Sequence, residues 1–199
     1  MNPVNLREYK QLLRDEARAR RRALDPEEKA RMDAGVFENV RRLWQYKRAG
    51  RIFLYLATPL EVETRHILLT ALNEGKEVAV PRCIPGTRHM CFHLISSLEE
   101  VRPGAFGVEE PLETAPVADP GRGGLMLVPA LTIDRRGYRL GYGRGYYDRY
   151  IAGFSGQTAG LCYSRDFVRS IRHGRFDLPV DVVVTEKGIR TAFRGEQPV

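Results

Sequence analysis

Arg51-Ile-Phe-Leu-Tyr-Leu-Ala57, then Glu61-Val-Glu-Thr-Arg-His-Ile-Leu-Leu-Thr-Ala-Leu-Asn73, then Glu77-Val-Ala-Val-Pro81 decide the fold class. The first stretch is short and apolar at nearly every position, the pattern of a strand covered on both faces. Residues 61–73 carry apolar side chains at helical spacing, and Gly75 follows where a left-handed residue closes a helix. The third stretch reads as a second strand. Strands interleaved with helices argue for an α/β layered domain with a largely parallel sheet.

Moving outward, Met90-Cys-Phe-His-Leu-Ile95 and Leu125-Met-Leu-Val-Pro129 are further strands, as are residues 158–163 and 180–185. Residues 102–124, punctuated by Pro and Gly, read as a long surface loop. Two amphipathic helices open the chain. Leu6, Tyr9, Leu12, Leu13 and Ala17 form the apolar stripe of the first. Asp25-Pro26-Glu27-Glu28 starts the second, with Asp25 as cap and Pro26 in the first turn, and Met32, Val36, Phe37, Val40, Leu43 and Trp44 line its buried face. No composition shift marks a boundary, so one domain over residues 1–199 is expected.

The 199 residues (22.6 kDa) are 43% hydrophobic and 29% charged, with a mean hydropathy of −0.37. Those values exclude a largely disordered, fibrous or membrane-spanning chain. Lys and Arg number 32 against 25 Asp and Glu, for a formal net charge of +7. Such a field attracts anions, whether nucleic acid, an anionic membrane face, or phosphorylated and carboxylated small molecules. The bias toward Arg, 27 against 5 Lys, suits bidentate binding of carboxylate and phosphate. Cys83, Cys91 and Cys162 form no C-x-x-C and cannot all pair, which points to free thiols in a reducing compartment. Residues 1–24 are crowded with charge and lack the apolar segment of a signal peptide. A cytosolic protein is expected.

Chemistry concentrates in Asp134-Arg-Arg-Gly-Tyr-Arg-Leu-Gly-Tyr-Gly-Arg-Gly-Tyr-Tyr-Asp148, between a strand and a helix. Gly141, Gly143 and Gly145 let backbone approach a ligand closely. Amides at the following helix start favour anions, and Arg139 and Arg144 add formal charge, so the segment reads as a cradle for a polyphosphate. It is neither a G-x-x-x-x-G-K-[ST] loop nor the dinucleotide fingerprint, since Tyr146 stands where the latter needs glycine. A glycine-rich connection with solvated arginines is the alternative. Asp148 suits Mg²⁺ beside phosphates, or an ion pair with Arg144. Asp181 is either a second carboxylate or a turn residue.

Lys10 and Arg14, four apart, project from one helix face and suit a phosphate clamp or a solvated surface. Arg18, Arg20, Arg21 and Arg22 extend the basic run and are expected at the surface. Glu61 and Glu63 flank the expected helix start, where acidic residues favour the helix dipole. His66, His89, His93 and His173 have no metal-ligand spacing with the cysteines, and Cys83 and Cys91 read as small buried hydrophobes.

Taken together, these residues resemble the 5-formyltetrahydrofolate cyclo-ligase (methenyltetrahydrofolate synthetase) family over essentially the whole chain. The resemblance rests on Lys10-x-x-x-Arg14, Glu61-Val-Glu-Thr64, Val80-Pro-Arg82, Arg139-Leu-Gly-Tyr-Gly-Arg-Gly-Tyr-Tyr-Asp-Arg149, Val180-Asp181 and Thr185-Glu186. It implies a three-layer α/β domain with a mainly parallel sheet flanked by helices, and an ATP- and Mg²⁺-dependent conversion of 5-formyltetrahydrofolate to 5,10-methenyltetrahydrofolate. By position, ATP would be held by Lys10, Arg14, Arg139, Leu140, Gly141, Tyr142, Gly143, Arg144, Gly145, Tyr146 and Tyr147. Mg²⁺ would be served by Asp148 and Asp181. The folate, with or without a glutamate tail, would be faced by Leu56 and Glu61 together with Tyr142, Gly143, Arg144, Gly145 and Tyr146. Arg144 and Lys10 would be the catalytic cations, with Arg144 standing where many family members carry Lys. Any of Tyr142, Tyr146 and Tyr147 is placed to stack on the pterin.

Two other readings remain open from the residues alone. One keeps the ATP site and changes the acceptor. The other is a basic nucleic-acid-binding module built on residues 14–22, which lacks a recognised motif and the interleaved aromatics of single-strand binders. Neither nucleic acid nor membrane is the expected partner.

Overall fold

A computed structural model of the chain describes residues 5–104 and 107–193. Three helices come first, α1 (Leu6–Arg22), α2 (Pro26–Arg42) and α3 (Trp44–Arg48), followed by β1 (Arg51–Phe53), α4 (Arg65–Asn73), β2 (Glu77–Cys83) and β3 (Met90–Ile95). The hairpin β4 (Val101–Pro103) and β5 (Glu109–Pro111) leads to β6 (Leu125–Pro129), β7 (Thr132–Asp134) and β8 (Arg139–Leu140). Then come α5 (Tyr146–Ile151), β9 (Gln157–Leu161), β10 (Phe167–Val168), β11 (Val182–Thr185) and β12 (Gly188–Thr191).

The central sheet has the order β12-β11-β9-β6-β1-β2-β3. Its five inner strands are mutually parallel, and β3 and β12 pair antiparallel at the two edges. Side chains alternate between faces, as strand geometry requires. Ile52 and Leu54, Val78 and Val80, and Leu125 and Leu127 pack under α2, α3 and α4 with Val36, Val40, Tyr46, Ile67 and Leu68. Phe53, Ala79, Met126 and Val128 face the other way, with Phe92, Ile133 and the α5 residues Tyr150 and Ile151. On that second face a small sheet, β10-β7-β8, completes the outer layer. The result is the three-layer, mainly parallel arrangement expected. Crossover α4 lies on one face and α5 on the other, as right-handed connections running in opposite directions demand.

Local signals explain the helix starts. Asp25 accepts from the amides of Glu27 and Glu28 at 3.0 and 3.1 Å, and Asn5 accepts from Glu8 at 3.0 Å. Gly75 takes φ +73°, the left-handed closure expected after α4.

Several boundaries differ from expectation. Helix α4 begins at Arg65 because Glu61 turns back on the preceding Thr58. Residues 102–124 are not an unstructured loop. They contain the β4–β5 hairpin, and residues 115–118 run along the outer edge of β3, where Leu94 donates to Pro116 O and Ala118 to Phe92 O, both at 2.7 Å. Trp44, assigned to the apolar stripe, is 56% exposed. Among the described residues, no helix is long and apolar enough to cross a membrane.

Candidate active site

From β1 the chain turns to one side for β2 and later returns on the other side of β1 as β6. The carboxyl ends of β1 and β6 therefore flank a reversal of strand order, the place where open α/β sheets hold ligands. A cavity of about 660 Å³ opens there, with Tyr55 and Leu56 following β1 and Pro129 ending β6 on its floor.

The glycine–tyrosine segment forms one wall, and all of Arg139 to Asp148 lines the cavity. Gly143 (φ +95°) and Gly145 (φ +72°) occupy backbone conformations that side-chain-bearing residues rarely adopt. Gly141 is different. Its φ is ordinary and a Cβ there would meet open space, so it leaves room on the ligand side rather than enabling a turn. Helix α5 has six residues and a left-handed Gly145 in place of a side-chain cap. Positive charge in the cavity therefore comes from side chains more than from this short helix.

Those side chains are brought largely by α1. Lys10, Arg14 and Arg18 all line the cavity. Arg14 Nε donates to Gly141 O at 2.9 Å, fixing the helix to the glycine loop. Burial and the neighbouring Arg18 lower the Arg14 guanidinium below its ordinary value, with Asp15 and Asp177 opposing. Arg18 lies 5.5 Å from the Tyr142 ring centroid. Arg144 completes the cationic set.

Behind this wall sit two carboxylates. Asp148 Oδ1 accepts from Arg139 Nη2 at 3.0 Å and from the Leu178 amide at 3.2 Å, and Arg139 Nη1 donates to Leu178 O at 2.7 Å. The pair is with Arg139, not Arg144. Burial lowers the Arg139 guanidinium, and Asp148 acts against that shift. Asp177 Oδ2 accepts from Lys10 Nζ at 2.5 Å and from the Gly174 amide at 2.5 Å. Sequence reading missed Asp177, which follows an irregular segment with no motif around it.

Asp181 is not brought to this cavity. It precedes β11 and accepts at Oδ2 from the amide and hydroxyl of Thr158, both at 2.9 Å. Thr158 is in register with Met126, three residues upstream of Pro129, which puts Asp181 about 10 Å along the strands from the cavity floor. Asp181 thus lies outside the wall that carries Asp148; the carboxylates lining the cavity are Glu61, Glu110, Asp148 and Asp177, and Asp177 is the one that pairs with the α1 cation Lys10. Among the described residues no three His, Cys, Asp or Glu gather to hold a metal. Mg²⁺ needs fewer, since one or two carboxylates with phosphate oxygens and water suffice.

The opposite wall is more apolar and holds two buried acids, Glu61 and Glu110. Glu61 is 6% exposed, and its Oε2 accepts from Thr58 N at 2.8 Å and Thr58 Oγ1 at 2.9 Å. It does not serve the start of α4, which begins four residues later at Arg65. Burial pushes the carboxyl up, while the Thr58 bonds and the Arg21 charge hold it back. Val108 and Glu110, from the β4–β5 hairpin, close the far side beside Cys83 and Met90. Tyr147 packs against both core clusters. Tyr146 packs against one of them, and its Oη donates to Thr87 O at 3.4 Å, while all three tyrosines, Tyr142 included, line the cavity. Burial raises all three tyrosine hydroxyls, Tyr147 most strongly.

A correction concerns the basic run. Arg20 and Arg21 both bind Asp166, at 3.1 and 3.0 Å, and Arg21 is buried. The readable signal was its position four residues after buried Ala17, on the helix face that meets the protein.

Comparison with known proteins agrees with this geometry. A model of the 5-formyltetrahydrofolate cyclo-ligase family matches residues 6–186. The 5-formyltetrahydrofolate cyclo-ligase of Mus musculus is 32% identical over 94% of this chain and 98% of its own, and that of Saccharomyces cerevisiae 30% over 90% and 96%. The solution structure of Aquifex aeolicus 5,10-methenyltetrahydrofolate synthetase superposes with a TM-score of 0.83, at 30% identity and over 96% of both chains. This chain belongs to the 5-formyltetrahydrofolate cyclo-ligase family and is a ligase.

Proposed function

We propose that this cavity closes 5-formyltetrahydrofolate to 5,10-methenyltetrahydrofolate, with ATP as phosphoryl donor and ADP and phosphate as the other products. The observation that carries the reading is the Arg14–Gly141 joint, which sets α1 cations and the glycine loop in one cavity with buried Glu61. Lys10, Arg14 and Arg144 supply charge for a triphosphate, and the backbone of residues 140–145 offers close approach without obstructing side chains. Glu61, oriented by Thr58, suits the N–H groups of a pterin, with Leu56 and Tyr142 beside it as apolar surface.

The chemistry needs positioning more than a reactive side chain. A formyl oxygen is a poor leaving group. Attack by that oxygen on the terminal phosphorus of ATP expels ADP and leaves the formyl oxygen phosphorylated, so that it can depart as phosphate from the activated carbon. The lone pair of N10 then attacks this carbon, the N10 proton departs, and loss of phosphate leaves the methenyl bridge. Phosphoryl transfer asks for alignment and charge neutralisation, and the ring closure gains from holding N10 near the formyl carbon. Asp148 and Asp177 fit a Mg²⁺ site because both carboxylates line the cationic end of the cavity. Mg²⁺ bound there would neutralise phosphate charge and orient the terminal phosphoryl group. Three free thiols fit a reducing compartment, and we read the cytosol as the site of action.

The test is direct. Purified protein given ATP, Mg²⁺ and 5-formyltetrahydrofolate should build up the methenyl chromophore, with ADP formed in equal amount. Folded protein that hydrolyses ATP without response to the folate would overturn the substrate and leave an ATP-dependent relative acting on another acceptor.

A further inference from the structure

Helix α1 carries the cavity's cations, yet of its seventeen residues only Ala17 and Arg21 are buried. Tyr9 and Leu13 are half-buried, so a helix with so little fully buried apolar surface gains only part of its anchoring from hydrophobic packing. Polar contacts supply the rest. At its outer end Lys10 and Arg14 reach the cavity wall through Asp177 and Gly141. At its inner end, one guanidinium makes most of the attachments.

Arg21 Nε donates to Asp166 Oδ2 at 3.0 Å, Nη1 to Leu60 O at 2.7 Å, and Nη2 to Ala130 O at 2.7 Å and Leu131 O at 3.0 Å. Leu60 lies inside the turn closed by the Glu61 amide on Thr58 O, the turn that aims the Glu61 carboxylate. Ala130 and Leu131 follow Pro129 on the cavity floor. A single planar fork thus joins the cation-bearing helix, the Glu61 turn and the carboxyl end of β6.

We propose that Arg21, braced by Asp166, is a positioning residue that sets the spacing between the triphosphate-binding and folate-binding walls. The inference rests on the reading of those two walls given above. It requires the guanidinium geometry and not merely a positive charge, because an ammonium cannot serve four acceptors spread around a plane. Arg20 Nε also binds Asp166, at Oδ1 and 3.1 Å, so Arg21→Lys does not leave that carboxylate without a charge partner.

The test measures equilibrium binding of ATP and of 5-formyltetrahydrofolate, separately, by calorimetry, and amide hydrogen exchange by mass spectrometry. Arg21→Lys should weaken both ligands by roughly tenfold, the scale of one lost charge-assisted hydrogen bond. Lys10→Ala/Arg14→Ala should weaken ATP alone. Introduced into that double variant, Arg21→Lys should no longer alter ATP affinity while still weakening the folate, the non-additivity of residues acting through one another. Exchange should quicken together in α1 and in residues 58–61. If Arg21→Lys does not fold, Asp166→Asn serves as the second variant, with a smaller effect in the same direction. Parental affinities in Arg21→Lys, or an ATP effect undiminished in the double variant, would overturn the proposal. Should the parent bind no ATP, the functional reading fails, and hydrogen exchange alone decides the positioning role: unchanged exchange in either segment rejects it.

Discussion

Arg14 and Gly141 are separated by 127 positions and meet through a 2.9 Å hydrogen bond from the guanidinium Nε to the carbonyl. The same guanidinium lies so close to Gly143 that a Cβ there would stand 3.1 Å from its central carbon. Helix α1 and the glycine loop, which share no sequence neighbourhood, therefore form one surface.

Removing that joint should be felt in one substrate and not the other. Arg14→Ala should raise KM for ATP about ten- to a hundredfold, the value of a hydrogen bond made by a charged group plus its attraction for phosphate. KM for 5-formyltetrahydrofolate should stay near the parent value. Arg14→Lys should recover little, since an ammonium on a flexible stem does not reproduce the Nε contact to Gly141 and the planar fit beside Gly143 together. Steady-state kinetics with each substrate varied in turn decide the matter, and equal changes in both KM values would count against the assignment of this wall.

Gly143→Ala and Gly145→Ala carry similar backbone penalties, about 1–2 kcal/mol for a left-handed conformation, and should each lower Tm by a few degrees. Their neighbours differ. At Gly143 the new methyl meets Arg14, whereas at Gly145 it meets only the far end of the exposed Arg149 side chain, 2.8 Å away, which can move at the cost of its bonds to Arg144 O and Gly145 O. Gly143→Ala should therefore cost more ATP affinity than Gly145→Ala at comparable thermal stability. Melting curves and ATP titrations on the two variants make the comparison.

What the chain revealed before its structure follows the range of the forces involved. Strands β3 and β6 were readable to the residue because apolar runs bounded by turn residues are local signals. The Asp25 cap was readable for the same reason. Most of the cavity was also visible, since Arg139 to Asp148 are contiguous and α1 places Lys10 and Arg14 four apart on one face. Asp177, Val108 and Glu110 were not, because each lies in a segment whose place depends on partners far along the chain, such as Lys10 for Asp177 and the Cys83 amide for Glu110. Asp181 was ambiguous because a carboxylate before a strand looks the same whether it faces a ligand or holds a neighbouring strand, as its bonds to Thr158 do. Arg21 misled because a buried guanidinium is an exception that only its carbonyl and carboxylate partners make tolerable.

The two aspartates give a sharp contrast. Asp148→Asn removes the charge partner of Arg139, whose side chain is 4% exposed, though Leu178 O still accepts from that guanidinium. Asp148 itself is 27% exposed, so the loss should be about 2 kcal/mol, less than the 3–5 kcal/mol of a fully buried pair. Tm should fall by roughly 4–8 °C. Activity should need a higher Mg²⁺ concentration for half-saturation, and Asp177→Asn should share that trait. Asp181→Asn should keep the parent's Mg²⁺ dependence, because the exchanged group binds Thr158 outside the cavity. A Mg²⁺ titration of activity in the three variants separates them, and a shifted curve for Asp181→Asn would restore it to the metal site.

Glu61 couples stability to function with opposite signs. Burial holds its carboxyl above the ordinary value of 4.5, so above pH 4.5 and up to the raised value the folded chain keeps a proton that the unfolded chain has released. Fewer protons bound in the unfolded state means that stability falls as pH rises. The contribution of Glu61 is thus fully present below pH 4.5 and is lost as pH climbs through its raised folded value. Glu61→Gln removes this dependence, and the amide oxygen can still accept from Thr58 N and Oγ1. The variant should therefore gain stability relative to the parent as pH rises above 4.5 and through the raised folded value of the parent's carboxyl. Its KM for 5-formyltetrahydrofolate should nevertheless rise about tenfold if Glu61 is the pterin acceptor proposed above, because a charged acceptor has become neutral. Denaturation midpoints of both proteins across pH, set beside folate kinetics at pH near 7, test the two halves independently. A stability difference that does not change with pH would mean that the buried carboxyl is not titrating in that window.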